Sequence, residues 1–539
     1  MCSIDGFTSG APFSLKAFAK INSDRGPDGT SFFEDENVHM AHSLLAISPN
    51  DTNQVQPLVR GSKVFTYVGE IYGIEGWDTD WLFDLIENED WEELGQRTNG
   101  MWAWVLYDSE EKTLTFCRDH FGVKSLYYLE HKGVFYWSST MKPLIAVLND
   151  LDDGIYLDRN KSEHFLGMES YIRFTNIPYA KIASLPCGTI RTISLTDHQI
   201  IRNKSLFDNW DISDNYFFDY DEYKEVTSRS LKEAMAAPNV PKALGLSGGL
   251  DSTLLAYLAK DDPSLFATSV RYEYVDERLK TTVHRQFDEW SMAKETADQL
   301  GIPYKFFTYS KERPPNEEEL VHRAMGATSF DIGRLGPRYA NIYNAKKHGA
   351  KIFFGGDCAD ETLTGYSGDQ QLYIDRHVSY SHTPPEGFGV QRRFMSKVIP
   401  EDFVWSSDAK SNYLFRRLLW SSEAYSAVAD HIAGSLGMES RIPFCHQGFI
   451  QHAARIPVAY RLKCPVELRP GGTPLQGSWK GLIRDVYRDD LPKHVIERDN
   501  KAGFSIPWDS RNKDKNDLKQ RDELNNSLTL LNYTLREDL

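Results

Sequence analysis

Residues 243–258 read ALGLSGGLDSTLLAYL. An apolar run, Ala243–Leu246, leads into Ser247, Gly248 and Gly249, and Leu250, Asp251 and Ser252 then open a helix. Glycines let a backbone turn tightly and approach an anion closely, and a helix start offers unpaired N–H groups and a partial positive charge. The strand–glycine–helix order therefore predicts a phosphate-binding loop. Asp251 is odd in a site that binds anions alone. It makes sense where a divalent cation bridges it to phosphates. The loop has no GK[ST] and no GxGxxG, so it is neither a Walker A motif nor a dinucleotide fingerprint.

Outward from this loop the pattern is regular. EVTSRSLKEAMAA (225–237) precedes it as a helix, and LFATSVRYEY, PYKFFTY and KIFFGG follow as strands. DEWSMAKETADQLG and GPRYANIYNAKKHG lie between them as helices. Strands alternating with amphipathic helices predict a doubly wound parallel sheet covered on both faces. Asp357, Asp360 and Glu361 sit in GGDCADE directly after KIFF, where the carboxyl ends of parallel strands line a ligand crevice. Carboxylates grouped in one turn call for a cation or a shared proton. Residues from about 400 to 465 read as mostly helical, and the tail beyond Pro507 is charged and Asn-rich.

The first half has another period. VFTYVGEIYG, MWAWVLYD, TLTFC, SLYYLE and GVFYWSS are short apolar runs separated by turns such as DSEEK and EHKG. They predict layered antiparallel sheets, with short helices at WLFDLIE and at Leu15–Ile21. The polar, acidic, aromatic stretch near 200–220 has no clear period and reads as a linker. The expected organisation is a domain over 1–200, a linker over 201–222, a second domain over 223–510 and a polar tail over 511–539.

The chain has 539 residues and a net charge of −16, with 41% hydrophobic and 26% charged residues. At about 150 residues per domain it is too long for one. Its acidity disfavours nucleic acid or an anionic membrane as a bulk partner. The six cysteines form no CxxC pair, no apolar stretch nears bilayer length, and MCSIDGFTSG lacks the basic and apolar regions of a signal peptide. A cytoplasmic multidomain enzyme is the expectation. One cysteine, Cys2, is the second residue.

SGGLDS matches the pyrophosphate loop of the ATP-pyrophosphatases. With MCSIDGF, DRGPDG, QPL, GEIYG, GMWAWVLYD, CRDHFGVKSLYY, GGDCADETLTGY, GMESRIPF, KGLIR and KAGFSIPW in order, the chain resembles the asparagine synthetase family to about Trp508. The resemblance implies two units. The first is an N-terminal αββα amidotransferase domain of class II, with an N-terminal-nucleophile fold. The second is a C-terminal ATP-pyrophosphatase domain that activates a carboxylate, aspartate in the family, as an acyl-adenylate. An amine or ammonia then displaces AMP.

On this reading Leu246, Ser247, Gly248, Gly249, Asp251, Ser252, Ser269, Val270 and Gly356 bind ATP and pyrophosphate. Asp251 and Asp360 hold Mg²⁺, Asp357 is the base for the amine, and Lys480 stabilises charge on the phosphates. Within GMESRIPF, Glu439 and Arg441 fit a buried ion pair as well as substrate ligands. Cys445 and His446 stand where the family has Leu-Asp, and His431, Ile432, Ala433 and Gly434 replace its Arg-Met-Ser-Met, changes that fall where the carboxylate substrate is held.

Removal of Met1 exposes Cys2 with its own α-amino group, which can serve as base for the thiol. The rest of the glutamine site departs from the family. Leu44 stands for the arginine that holds the α-carboxylate. Val68, before Gly69 and Glu70, stands for the oxyanion-hole asparagine. Arg97 stands for the aspartate that holds the amine. Glutamine hydrolysis is therefore expected to be weak or lost, with ammonia or another amine as donor. The resemblance leaves a homodimer open. It also leaves open a biosynthetic amide or lactam synthetase acting on another acid and amine. A non-catalytic scaffold is the reading of another class.

Overall fold

Side chains alternate across a strand, so a strand apolar at every position needs a layer on each face. That is the situation of GMWAWVLYD. In a computed structural model all nine of its residues are buried. The structure describes residues 2–53, 55–88, 91–151, 181–207, 210, 219–271, 289–326, 332–365, 418–419, 425–456, 461 and 480–498. The KAGFSIPW motif, the polar tail and about half of the segment read as helical over 400–465 lie outside these residues.

Among the described residues the first half contains twelve strands: β1 Ser3–Thr8, β2 Gly29–Glu34, β3 Val38–Leu44, β4 Leu58–Arg60, β5 Lys63–Ile71, β6 Gly100–Asp108, β7 Thr113–Arg118, β8 Tyr127–His131, β9 Val134–Ser138, β10 Ile182–Ser184, β11 Thr189–Ser194 and β12 Ile200–Ser205. They form two six-stranded sheets, ordered β10-β8-β9-β1-β3-β2 and β12-β11-β7-β6-β5-β4. Val64, Val68, Ala103 and Val105 of the second sheet meet Ile4, Val38, Met40 and Trp137 of the first in a shared core. Their alternates Phe65, Tyr67, Trp102 and Trp104 pack outward against Leu82, Phe83, Ile86 and Leu94, carried by helices Asp78–Glu87 and Trp91–Arg97. Helices Leu15–Lys20 and Lys142–Asp150 cover the first sheet through Phe18, Leu144 and Val147. The result is an αββα sandwich. β12 pairs with β11 as far as Ser205, so the sheet continues into the stretch read as linker.

The second half holds β13 Lys242–Gly245, β14 Leu265–Arg271, β15 Tyr304–Thr308, β16 Ile352–Phe354 and β17 Glu439–Arg441. All pair in parallel, in the order β15-β14-β13-β16-β17. Leu244 faces helices Tyr220–Met235, Leu250–Ala259 and Glu289–Leu300, alongside Leu231, Leu254 and Ala293. Its neighbour Ala243 faces the other side with Val321, Ile342 and Ile432. The chain moves outward from β13 through β14 to β15, then crosses back to β16. The crevice between β13 and β16 is thus the switch point where doubly wound sheets bind ligands. β17, three residues with the polar sequence ESR, was not legible as a strand.

Buried charge joins the halves. Asp430 is fully buried and lies 2.8 Å from Arg25 Nη2 and 3.0 Å from Lys124 Nζ. Arg25 and Lys124 outweigh the effect of burial and hold the Asp430 carboxyl well below the usual range. Beside it the Tyr127 hydroxyl and His431 Nε2 are 3.0 Å apart.

Candidate active site

The loop after β13 is shaped by its own hydroxyls. Ser247 N–H donates to Ser252 Oγ at 3.1 Å, and Gly249 N–H donates to Ser247 Oγ at 3.3 Å. Leu246 N–H is tied to Thr268 O at 2.9 Å. Gly248 has φ +74°, and a Cβ there would lie 2.8 Å from Met292 Cβ and 2.9 Å from Ala293 N. The glycine is required both by its left-handed backbone and by the approach of helix Glu289–Leu300. Gly249 N-caps helix Leu250–Ala259, whose first turn carries Asp251.

Three remote segments converge on this loop. Gly356, after β16, lies against it: a Cβ added there would be 3.7 Å from Asp251 Cβ and from Ser252 N. Lys480 bonds both oxygens of Asp251, and its Nζ is 2.6 Å from Asp360 Oδ1. Burial disfavours the ammonium, but Asp251 and Asp360 outweigh it and Lys480 holds its proton more tightly than a free lysine. Gly365 permits the closeness, since a Cβ there would collide with Asp360 Oδ1 and with Lys480 Cε. Asp251 Oδ1 and Oδ2 and Asp360 Oδ1 thus meet at the Lys480 ammonium beside the phosphate loop. Magnesium takes oxygen ligands and is usually held by one or two carboxylates together with phosphates. The donor set fits it.

Asp357 lies on the same turn and pairs with Arg338, on helix Ile332–Lys347. The sequence reading missed Arg338, because an arginine on a helix face carries no local signal. Cys358, between Asp357 and Asp360, is left-handed at φ 69° and N-caps the short helix Ala359–Thr362. Ser269, at the end of β14, has its hydroxyl on the Tyr304 hydroxyl. Val270 packs with Phe307, Tyr309 and Ala340, so Ser269, its neighbour in the strand, lies on the opposite face of the sheet.

Of the two readings left open for Glu439 and Arg441, the geometry is that of a buried ion pair. Arg441 Nε is 2.7 Å from Glu439 Oε1, and Arg441 Nη2 reaches Glu70 of the first half at 3.2 Å. Burial, with Glu439 adding to it, raises the Glu70 carboxyl to about 7 even though Arg441 opposes the rise. His446 is also an interface residue. It stacks on Tyr72 and its Nε2 lies 2.6 Å from Asn99 Nδ2, while Asn99 Oδ1 accepts from Gln447 N–H. His431, Ile432 and Ala433 are buried, and a Cβ at Gly434 would meet Arg25 Nη1 at 2.6 Å. His431 and Gly434 thus contact the first half, at Tyr127 and Arg25, while Ile432 and Ala433 pack in the core of the second half.

At the N-terminus, Cys2 Sγ accepts from Leu45 N–H at 3.4 Å, and burial pushes its thiol up. Leu44, at the end of β3 and next to Leu45 in sequence, is part-buried. Val68 is 1% exposed and belongs to the apolar core between the sheets, against which Cys2 packs. Gly69 has φ +138°, and a Cβ there would lie 2.1 Å from Met101 O. Arg97 is not gathered with these residues. It pairs with Glu93 at 2.8 Å, its guanidinium lies over Trp81, and its side chain is about half exposed. The expectation that Arg97 faces the glutamine amine is therefore corrected. Helix Trp91–Arg97 ends there and turns the side chain outward, leaving buried Thr98 to bond Leu94 O.

The profile of the asparagine synthase family matches residues 222–528, and that of a glutamine amidotransferase domain matches residues 1–204. Glutamine-hydrolyzing asparagine synthetase 1 of Bacillus subtilis (strain 168) is 24% identical over 572 residues, covering 92% of this chain and 84% of its own length. A putative asparagine synthetase of Methanocaldococcus jannaschii is 24% identical over 515 residues, covering 86% and 82%. Asparagine synthetase B of Escherichia coli (strain K12) is 25% identical over 550 residues, covering 94% and 83%.

Proposed function

The chain belongs to the asparagine synthase family, and from that premise we propose that it is a cytoplasmic ATP-dependent amide-forming ligase with a weak or lost glutaminase. The observation that carries the proposal is the convergence of Lys480 on Asp251 and Asp360 beside the Ser247–Ser252 loop.

The chemistry follows from placement. The loop N–H groups and the helix start at Leu250 cradle the β- and γ-phosphates of ATP. Asp251 and Asp360 would hold Mg²⁺, which neutralises charge on the departing pyrophosphate. A carboxylate oxygen of the acid attacks the α-phosphorus as the bond to the β-phosphate oxygen breaks. Lys480, fixed at the loop, meets the negative charge that grows on the leaving oxygen, the kind of preorganised contact that dominates many rate enhancements. An amine nitrogen then attacks the acyl carbon, AMP leaves with the carbon–oxygen bond electrons, and Asp357 takes the proton shed by nitrogen. Ser269, near the end of β14, would contact the adenine.

The acid is aspartate on the family pattern, and ammonia is the nitrogen source. Three features weigh against glutamine: a valine side chain offers no oxyanion donor at position 68, burial suppresses the Cys2 thiolate, and Leu44 offers no charge partner for the α-carboxylate of a zwitterion. A second reading, another acid and amine, is favoured by Cys445 and His446, since His446 is engaged with Asn99 and Tyr72. Pyrophosphate release with MgATP, ammonia and a panel of acids tests both. Release with aspartate supports the first, release only with another acid selects the second, and no release with any acid contradicts the ligase reading.

A further inference from the structure

The pairing of Arg338 with Asp357 conflicts with the work assigned to Asp357. Asp357 is to accept a proton from an amine, yet its Oδ2 already accepts a hydrogen bond from Arg338. Both side chains remain reachable, with 22% of Arg338 and 17% of Asp357 exposed. Among the described residues the contact is made by one guanidinium nitrogen, Nη2, to one oxygen, Oδ2. Most of the five N–H donors of an arginine are thereby left for another acceptor.

The other charged contact in the site has the same character. Lys480 occupies both Asp251 and Asp360, the groups that would hold Mg²⁺. In both places a cation of the protein rests on a carboxylate that the reaction needs for something else. Arg338 belongs to helix Ile332–Lys347, on the β14 side of the crevice, and Asp357 follows β16. The pair therefore bridges helix Ile332–Lys347 and the turn after β16, and a ligand seated between them meets the guanidinium.

We propose that Arg338 is a specificity-determining residue that binds a second anionic group on the acid and, in moving to it, releases Asp357 for the amine step. This inference rests on the ligase reading of the same site. A planar guanidinium matches a carboxylate through two parallel hydrogen bonds, which a single contact to Asp357 does not use. The exchange trades one carboxylate for another, so its cost is small and its direction is set by the better geometry. An acid without the second anion leaves Arg338 on Asp357 and the base engaged.

The test pairs acids that differ by one carboxylate: aspartate with β-alanine, glutamate with 4-aminobutyrate, succinate with propionate. Pyrophosphate release is measured with MgATP and ammonia for the parent chain, R338A and R338K, and the melting temperature of each MgATP-loaded protein is measured with the same acids. The expected result is a preference of the parent for one diacid of at least about tenfold in kcat/KM, the discrimination of one charge-assisted contact. R338A loses that preference mainly through KM, and R338K keeps part of it. Equal use of diacid and monoacid by the parent, or an undiminished preference in R338A, overturns the proposal. A diacid that raises the melting temperature of the parent but not of R338A, with no pyrophosphate released, keeps the anion site and rejects the ligase reading. Neither turnover nor a shift contradicts both.

Discussion

Lys480 sits in the left-handed region at φ 52° just before helix Gly481–Val486, with its side chain almost wholly buried. A non-glycine residue in that conformation is held there by its surroundings, and here the two carboxylates supply the hold. Lys480→Ala should lower kcat for pyrophosphate release about 10²–10³-fold, the typical loss for one preorganised transition-state contact. Steady-state kinetics with unchanged far-ultraviolet circular dichroism checks it. His42 makes a different point. Burial, followed by repulsion from the chain's amino terminus, lowers its imidazole to about 4. The unfolded chain takes up that proton near pH 6.5 and the folded chain does not, so stability is full above pH 6.5 and is lost as pH falls toward 4. The stability gap between the parent and His42→Gln, read from urea midpoints, should therefore shrink as pH falls from 7 to 5. The sequence singled out Lys480 only through its KGLIR setting and had no signal for His42 or Arg338, because their roles come from partners more than fifteen residues away.

The elements that bear the site differ in how plainly their sequences declare them. Gly-rich SGGLDS, framed by an apolar strand and an apolar helix, was legible because the backbone conformation demands those residues locally. Gly248→Ala should cost at least about 1–2 kcal/mol from the left-handed backbone alone, and the close approach of Met292 adds to it. Thermal melting should show the loss, and MgATP should protect the variant less than the parent. β17 was hidden for the opposite reason. Its residues Glu439, Ser440 and Arg441 are all buried, and the charges of Glu439 and Arg441 are met by ion pairs, so the strand shows no apolar pattern. Arg97 was misplaced because the position in the sequence was right while the helix end turned its side chain outward.

Across the whole molecule the period of two in the first half and the strand–helix alternation in the second made both folds legible. The contact between them was not, since no local pattern announces that Arg25 and Lys124 will meet Asp430. Asp430→Ala leaves two buried cations facing each other and should destabilise the protein by about 3–5 kcal/mol, measured by chemical denaturation. Such a buried joint ties the first half to the second: Arg25 and Lys124 of the first half close on Asp430 in helix 425–435. The central claim is that the phosphate loop, Lys480 and the two carboxylates run a carboxylate-activating reaction fed by ammonia and independent of Cys2. The direct measurement is pyrophosphate release by the parent, Cys2→Ala and Lys480→Ala with MgATP and an acid, supplied with either ammonia or glutamine. The account predicts equal ammonia-driven release from the parent and Cys2→Ala, little release with glutamine, and loss in Lys480→Ala. Robust glutamine-driven release that disappears in Cys2→Ala, or ammonia-driven release that survives in Lys480→Ala, would contradict it.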